Sequence, residues 1–312
     1  MKKSLINLVT SRKQQILGWT AVGLSAAITC LWSVWGIVEN FHEGWYYESL
    51  LSNLGLMFIQ YLSIPIVATA LSLIALKWPR VGIGLFVAVG IFALYFFAAA
   101  NPITVRLLIA SPIVALGLLY LFGRPKPKKV AQLLLIGLPL LVIIVLGTPN
   151  FIRVVTRVSD GDFGTRLVEG NGITLIWAPR GPGWPDEGVY WADAIQACRY
   201  LSEDGTTILE EPQNIWRLPT IDEAVRSQAR HGKNSGGVWD PLTRKVTYEI
   251  TPDKETPLWD MHSPVIYLWT SEEKDDLRAY MFVHNGQISH RKKTGAPKYH
   301  SFRCVKEISI NP

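Results

Sequence analysis

Residues 16–38 read ILGWTAVGLSAAITCLWSVWGIV, twenty-three residues without a formal charge. Coiled as an α-helix rising about 1.5 Å per residue, this run is roughly 34 Å long, enough to cross a hydrocarbon core about 30 Å thick. It is too long for the apolar region of a signal peptide, and no small-residue cleavage site with a polar continuation follows it. Comparable runs occupy 51–76, 81–99, 103–122 and 130–148. The N-terminal half is therefore predicted to be an all-α transmembrane bundle of five helices over 16–148, behind a basic segment at 1–15.

The connections between these runs orient the bundle. Lys2, Lys3, Arg12 and Lys13 precede the first run, Lys77 and Arg80 follow the second, and Arg124, Lys126, Lys128 and Lys129 follow the fourth. The alternate connections hold Glu39, Glu43 and Glu48, or the neutral pair Asn101-Pro102. Basic residues gather on the cytoplasmic side of membrane proteins. The expected arrangement is a multi-pass cell (inner) membrane protein with a cytoplasmic N-terminus and a C-terminal half that is periplasmic or extracellular. Trp45, Tyr46 and Tyr47 fall where an outer aromatic belt would lie, and Trp78 at the inner one.

Charge divides the chain in the same place. Residues 1–150 carry eleven Lys and Arg against three acids, whereas residues 151–312 carry twenty against twenty-two. The net +6 of the whole chain thus belongs to the short loops of the membrane half and is no sign of nucleic-acid binding. Within the apolar runs the only charge is Arg106, one turn from an end, where it can snorkel. Gln60, Pro65, Pro112 and Pro139 read as kinks and interhelical contacts, and Gly82, Gly84 and Gly90 as sites of close helix approach. These features point to an anchor or assembly surface rather than a transport path.

Residues 151–312 are enough for one domain with its own core. Residues 149–169 read as a connector, and 173–177 (ITLIW) as a strand before the Gly/Pro-rich stretch 179–188. Trp191, Ala194, Ile195, Cys198 and Leu201 have helical spacing. Thr220-x-x-Glu223 after Pro219 is a capping box that opens a second helix. Residues 230–237 read as loop and 265–270 (VIYLWT) as a strand. Strands 278–284 and 287–292 flank Asn285-Gly286, the pair preferred in a two-residue type I′ turn. That register puts Met281, Val283 and Ile288 on one core face and Lys292 on the core side. Residues 301–305 (SFRCV) would close the sheet.

Cys30 lies within the first apolar run and reads as a packing residue. Cys198 and Cys304 both fall in the half placed outside, where oxidation favours a disulfide over a metal pair.

Four segments carry a resemblance to a known family. Residues 190–198 (YWADAIQAC), 216–223 (WRLPTIDE), 267–271 (YLWTS) and 302–305 (FRCV) resemble, in order, the helix, Trp-Arg-Leu-Pro signature, strand and closing strand of the Lcl C-terminal domain family, named after collagen-like bacterial adhesins. The likeness spans about 170–308 and leaves the membrane half uncovered. It implies an α+β C-type-lectin-like fold at 170–312, shared with sulfatase-modifying factors. It gives structural roles to Trp191, Trp216, Arg217, Leu218, Pro219, Thr220, Glu223, Trp269 and Arg303, and matches the paired cysteines to Cys198 and Cys304. The long stretch between Arg226 and Tyr267, with Trp239 and Trp259, has no counterpart in the family.

Function is then expected of a membrane-anchored, non-catalytic binding module outside the cytoplasm. The basic residues Arg291, Lys293, Lys298 and His300, with Trp184, Trp239 and Trp259, are the candidate ligand surface. Cations beside aromatic rings suit an anionic saccharide, phospholipid head groups or an acidic protein patch, and Glu272, Glu273, Asp275 and Asp276 would neutralise part of it. Two alternatives stand: a structural subunit assembling as homo- or hetero-oligomer through the bundle, and a formylglycine-generating-like or non-haem-iron enzyme. The second is disfavoured because both extracytoplasmic cysteines are committed and the histidines lack ligand spacing, so no cofactor, metal or catalytic residue is assigned.

Overall fold

The computed structural model of the protein describes residues 2–99, 101–294 and 299–308, with side chains from residue 12 onward. The chain divides into two compact units, residues 1–42 with 54–151 and residues 43–53 with 152–312.

The first unit is helical. Helix α1 is Lys2–His42, α2 Leu50–Leu56, α3 Ser63–Lys77, α4 Pro79–Phe96, α5 Ile103–Phe122 and α6 Lys128–Val155. Arg12–His42, α4, α5 and α6 are each long and apolar enough to cross a membrane. The run expected at 51–76 is instead a broken pair, bent by 61°. A π-helical stretch, Met57–Tyr61, precedes the bend. Pro65 has no N–H to offer the Tyr61 carbonyl and clashes with it in a straight helix, which accounts for the break. Gly36 of α1 packs against that carbonyl, and a Cβ there would come within 2.4 Å of it.

Small residues set the helix spacing. A Cβ on Gly82 would meet the Ala75 Cβ at 2.4 Å, and one on Gly90 would meet Val114 at 2.9 Å, whereas Gly84 faces open space. Two of the three glycines expected to allow close approach are therefore used within the chain. Ala21, Ala75, Phe86, Tyr120 and Leu135 form the interior. There the Tyr120 hydroxyl donates to Ser25 Oγ at 2.9 Å, satisfying a polar group away from water. Leu31, Ile59, Tyr95 and Leu108 point outward, the apolar exterior that a lipid solvent requires.

The second unit is strand-rich. Strands β1 (Arg166–Gly170), β2 (Ile173–Trp177) and β11 (Val305–Glu307) form a three-stranded sheet in the order β1-β2-β11. Strands β7 (Tyr267–Asp275), β8 (Arg278–Val283), β9 (Ile288–Lys292) and β10 (His300–Ser301) form a second sheet in the order β10-β7-β8-β9. Between them come helices α7 (Trp191–Arg199) and α8 (Ile221–Ser227), and the small hairpins β3–β4 (Ala229–Arg230, Lys233–Asn234) and β5–β6 (Val238–Asp240, Lys245–Thr247). The expected connector is shorter than 149–169, because α6 runs to Val155 and β1 starts at Arg166. The expected loop at 230–237 contains β4, and the acids 272–275 continue strand β7 rather than forming a loop.

One face of the second sheet packs Trp269, Met281 and Val283 against Trp191, Ala194 and Cys198 of α7. The other packs Leu268 and Phe282 against Trp177, Ala224 and Trp259. The Thr220–Glu223 capping box is present: Thr220 Oγ1 accepts from Glu223 N at 3.2 Å, and Glu223 accepts from Thr220 N at 2.8 Å. Cys198 and Cys304 form a disulfide joining α7 to the segment before β11.

The β8–β9 hairpin departs from its expected register. Val283 N donates to Gln287 O, so the loop holds three residues, His284 to Gly286, with Gly286 at φ +85°. A left-handed glycine closing a three-residue loop is the usual bulged alternative to the two-residue turn. Phe282 therefore faces Ile288, and Met281 faces Ser289. The extra residue moves Ile288 off the Met281 face, and it puts Lys292 opposite Arg278 and Arg291 opposite Ala279.

Candidate functional site

The residues expected to form one ligand surface do not come together. Trp184 and Trp259 are buried, as is His300, which is 5% exposed between the rings of Tyr267 and Trp269. This corrects their reading as surface residues. Their large rings fill the interior, and Trp184 lies 3.7 Å beneath the Arg303 guanidinium. Burial pushes the His300 imidazole down to about 4, with Arg291 adding to the effect. Trp239 is half-buried on the β5–β6 hairpin. Arg291 is exposed, but Lys293 turns onto the Trp191 ring and pairs with Glu273 at 2.8 Å. Lys298 lies outside the described residues.

The motif residues hold the scaffold. The Trp191, Trp216 and Trp269 indoles each donate to a backbone carbonyl at 2.8 Å, those of Thr270, Ser202 and Val189. Arg217 forks onto Glu223 at 2.7 and 2.8 Å, fixing the start of α8. Arg303 is fully buried and donates to the carbonyls of Ala178 and Pro257 at 2.8 and 2.6 Å. Leu218 and Ile221 enter the interior on either side of Pro219 and Thr220.

A buried charge cluster in the long 226–267 stretch is invisible to sequence reading. Asp253 accepts from Arg157 at 2.9 Å, from His284 Nδ1 at 3.1 Å and from Arg230 at 3.1 Å, with Arg153 at 3.6 Å. Glu255 accepts from Arg230 at 2.7 Å and from His231 N at 2.5 Å. Lys254 donates to the Ser263 carbonyl. Burial opposes ionisation of Asp253, but His284 and Arg157 outweigh it and hold the carboxyl far below its ordinary range. Burial pushes His284 down to about 3 against the pull of Asp253, so its Nδ1–H donates to the carboxylate as a neutral imidazole. Burial, assisted by Arg157, pushes Lys254 down to about 7. The sequence Asp253-Lys254-Glu255-Thr256 reads as a solvated loop because such residues are rarely buried unless paired. The ionic partners of Asp253 and Glu255 lie 23 to 100 residues away. Buried except at Arg153, the cluster is a clamp within the second unit that ties the long stretch to residues 153–157 and to the β8–β9 turn.

That turn forms one wall of an open cleft of about 480 Å³. Asn285, Gly286, Gln287 and Ile288 face Arg244, Val246, Tyr248 and Thr251 across it. The Tyr248 ring is wedged between two glycines: a Cβ on Gly237 or Gly286 would come within 2.6 or 2.5 Å of it. Its hydroxyl donates to Gly286 O at 3.1 Å, and burial pushes its pKa further above the ordinary phenol range, so it stays protonated. Arg244, Thr251 and Gln287 make no side-chain hydrogen bond or ion pair among the described residues, and the lining includes no acid. Such a cleft offers a rigid ring, apolar contact from Val246 and Ile288, neutral donors and one uncommitted guanidinium. Of this lining, the sequence singles out the Asn285-Gly286 turn and Ile288. The opposite wall comes from a stretch with no hydropathy pattern. Among the described residues, no three His, Cys, Asp or Glu side chains are grouped to hold a metal ion.

The profile of one protein family, described as "Domain of unknown function (DUF7670)", matches residues 10–132. That match ends within the first residues of α6 and leaves 152–312, the strand-rich part of the second unit, outside it. No curated protein and no solved structure matches the chain.

Proposed function

We propose that this chain is a membrane-anchored recognition module whose strand-rich head lies outside the cytoplasm and binds an anionic partner, an acidic saccharide or an acidic protein surface, without catalysis. The observation that carries this reading is the cleft, where uncommitted polar side chains and a guanidinium converge on walls that are pinned in place. Recognition concentrates on loops held by a rigid scaffold, and cleft volumes of roughly 300–1,000 Å³ suit small ligands or single side chains. The Lcl-like, C-type-lectin-like reading of the head is supported by the burial of Trp191, Trp216, Trp269 and Arg303 and by the Cys198–Cys304 bond. The outside location is supported by that disulfide, which persists in oxidising compartments. It is further supported by the grouping of 43–53, the acidic first loop, with 152–312.

The test is a binding screen of the full chain in lipid nanodiscs against acidic and neutral glycans and acidic peptides. Arg244→Ala and Gln287→Ala should each weaken the captured partner about fivefold or more, with the thermal midpoint unchanged. Binding that survives the Arg244→Ala, Gln287→Ala double change would place recognition elsewhere.

A further inference from the structure

Arg106 stands one turn inside α5, in an apolar helix where a cation is costly and marks a site by default. Its Nη1 makes one long bond, 3.5 Å to the Leu94 carbonyl of α4, and its Nε is buried without a partner. No acid pairs with it among the described residues. Ile113 lies seven residues on, two turns along the same face and about 10 Å deeper. At that level the helices part around a cavity of about 410 Å³, lined by Trp32, Val67, Ala68, Phe86, Phe92 and Ile113 among others. Ser63 and the Trp32 indole nitrogen supply its only side-chain polar groups. Pro112, which interrupts the α5 hydrogen-bond ladder, and the first turns of α3 after the 61° bend form its walls.

We propose that this cavity and Arg106 together form a binding site for a lipid with a net-anionic phosphate headgroup. One acyl chain fills the cavity and the phosphate lies against the Arg106 guanidinium. The two observations are independent and fit one molecule: an apolar slot takes the chain, and an unpaired guanidinium about two turns nearer the helix end takes the charge. Guanidinium presents parallel N–H donors to phosphate oxygens, and a net anion, unlike a zwitterion, has no ammonium of its own to compete for them. The site belongs to the bundle and does not depend on the reading of the head.

The experiment is native mass spectrometry of the full chain, released from detergent after incubation with equal amounts of phosphatidylglycerol and phosphatidylcholine of identical chains. The wild type should retain the anionic lipid about fivefold over the zwitterionic one, the scale of one cation at a membrane surface. Arg106→Gln should bring the two to parity, while Arg106→Lys keeps most of the preference. Ala68→Phe and Val67→Phe, which fill the cavity, should reduce retention of both lipids, with circular dichroism confirming helical content. Excess inorganic phosphate should not displace the lipid, because the chain supplies most of the contact. A wild type without preference, an Arg106→Gln variant that keeps it, or displacement by phosphate would each overturn the proposal. So would cavity-filled variants that fold and retain lipid as the wild type does.

Discussion

Asp253 is the residue on which most of the head's buried charge depends. Three guanidiniums and an imidazole surround it within 3.6 Å, and its side chain is 1% exposed. Removing one partner of a buried ionic group leaves the others uncompensated and costs about 3–5 kcal/mol. Asp253→Ala should lower the stability of the full chain in detergent by that order, measured by urea unfolding of the head's tryptophan fluorescence. Arg244→Ala, an exposed change, should stay within about 0.5 kcal/mol. His284 adds a pH dependence whose sign is fixed by its depressed folded value. Between about 6.5 and about 3 the unfolded chain binds a proton that the folded one refuses. Stability is therefore complete above pH 6.5 and falls as the pH drops through that window, by up to about 1.4 kcal/mol per pH unit. His300, depressed to about 4, acts in the same direction over a narrower range. Urea midpoints at pH 7.5 and 5.0 should differ clearly in the wild type, and His284→Gln should shrink the difference by roughly half. An unchanged difference would mean that His284 is not buried neutral.

At the scale of the element, local chemistry was legible and long-range pairing was not. Thr220-x-x-Glu223 announces a helix start because both halves of the capping box lie within one turn. Thr220→Ala should cost about 1–2 kcal/mol, and Thr220→Ser almost nothing, in the same unfolding measurement. Asn285-Gly286 likewise announced a hairpin, but not whether the loop holds two residues or three. His284 decides that choice, because it leaves the strand to bond Asp253, thirty-one residues away. One residue of slip reverses which side chains face which core, which is why Ile288 and Lys292 were assigned to the wrong sides. The same limit hid the aromatic burial. Trp184 and Trp259 sit in irregular stretches where neither a 3.6- nor a 2-residue period reveals an inward face. Their partners Arg303 and Phe282 come from distant parts of the chain, the segment between β10 and β11 and strand β8. The cleft was illegible for this reason: its two walls meet only after the charged loop between them is clamped.

At the scale of the whole molecule, the proposed location of the head sets how many times the chain has to cross a membrane. On the proposed topology helix α1 crosses the membrane once, and the loop at 43–53 then lies opposite the N-terminus. That loop belongs to the same compact unit as 152–312, and the proposed topology puts both on one side. An even number of crossings is then needed between them. With α4, α5 and α6 each crossing, the proposed topology needs the bent pair Leu50–Tyr61 and Ser63–Lys77 to be one broken span rather than a re-entrant loop, the two readings its 61° bend allows. The charge bias of the connections leads to the same expectation and gives the proposal its direction, with Arg124 inside and the head outside. A reporter active only outside the cytoplasm should work when fused after Pro312 and fail when fused after Arg124. Fused after Trp78, between the bent pair and α4, it should also fail. Activity after Trp78 would show that the bent pair returns to its own side. In that case the first loop and the head would have to lie on opposite faces, against their membership in one unit.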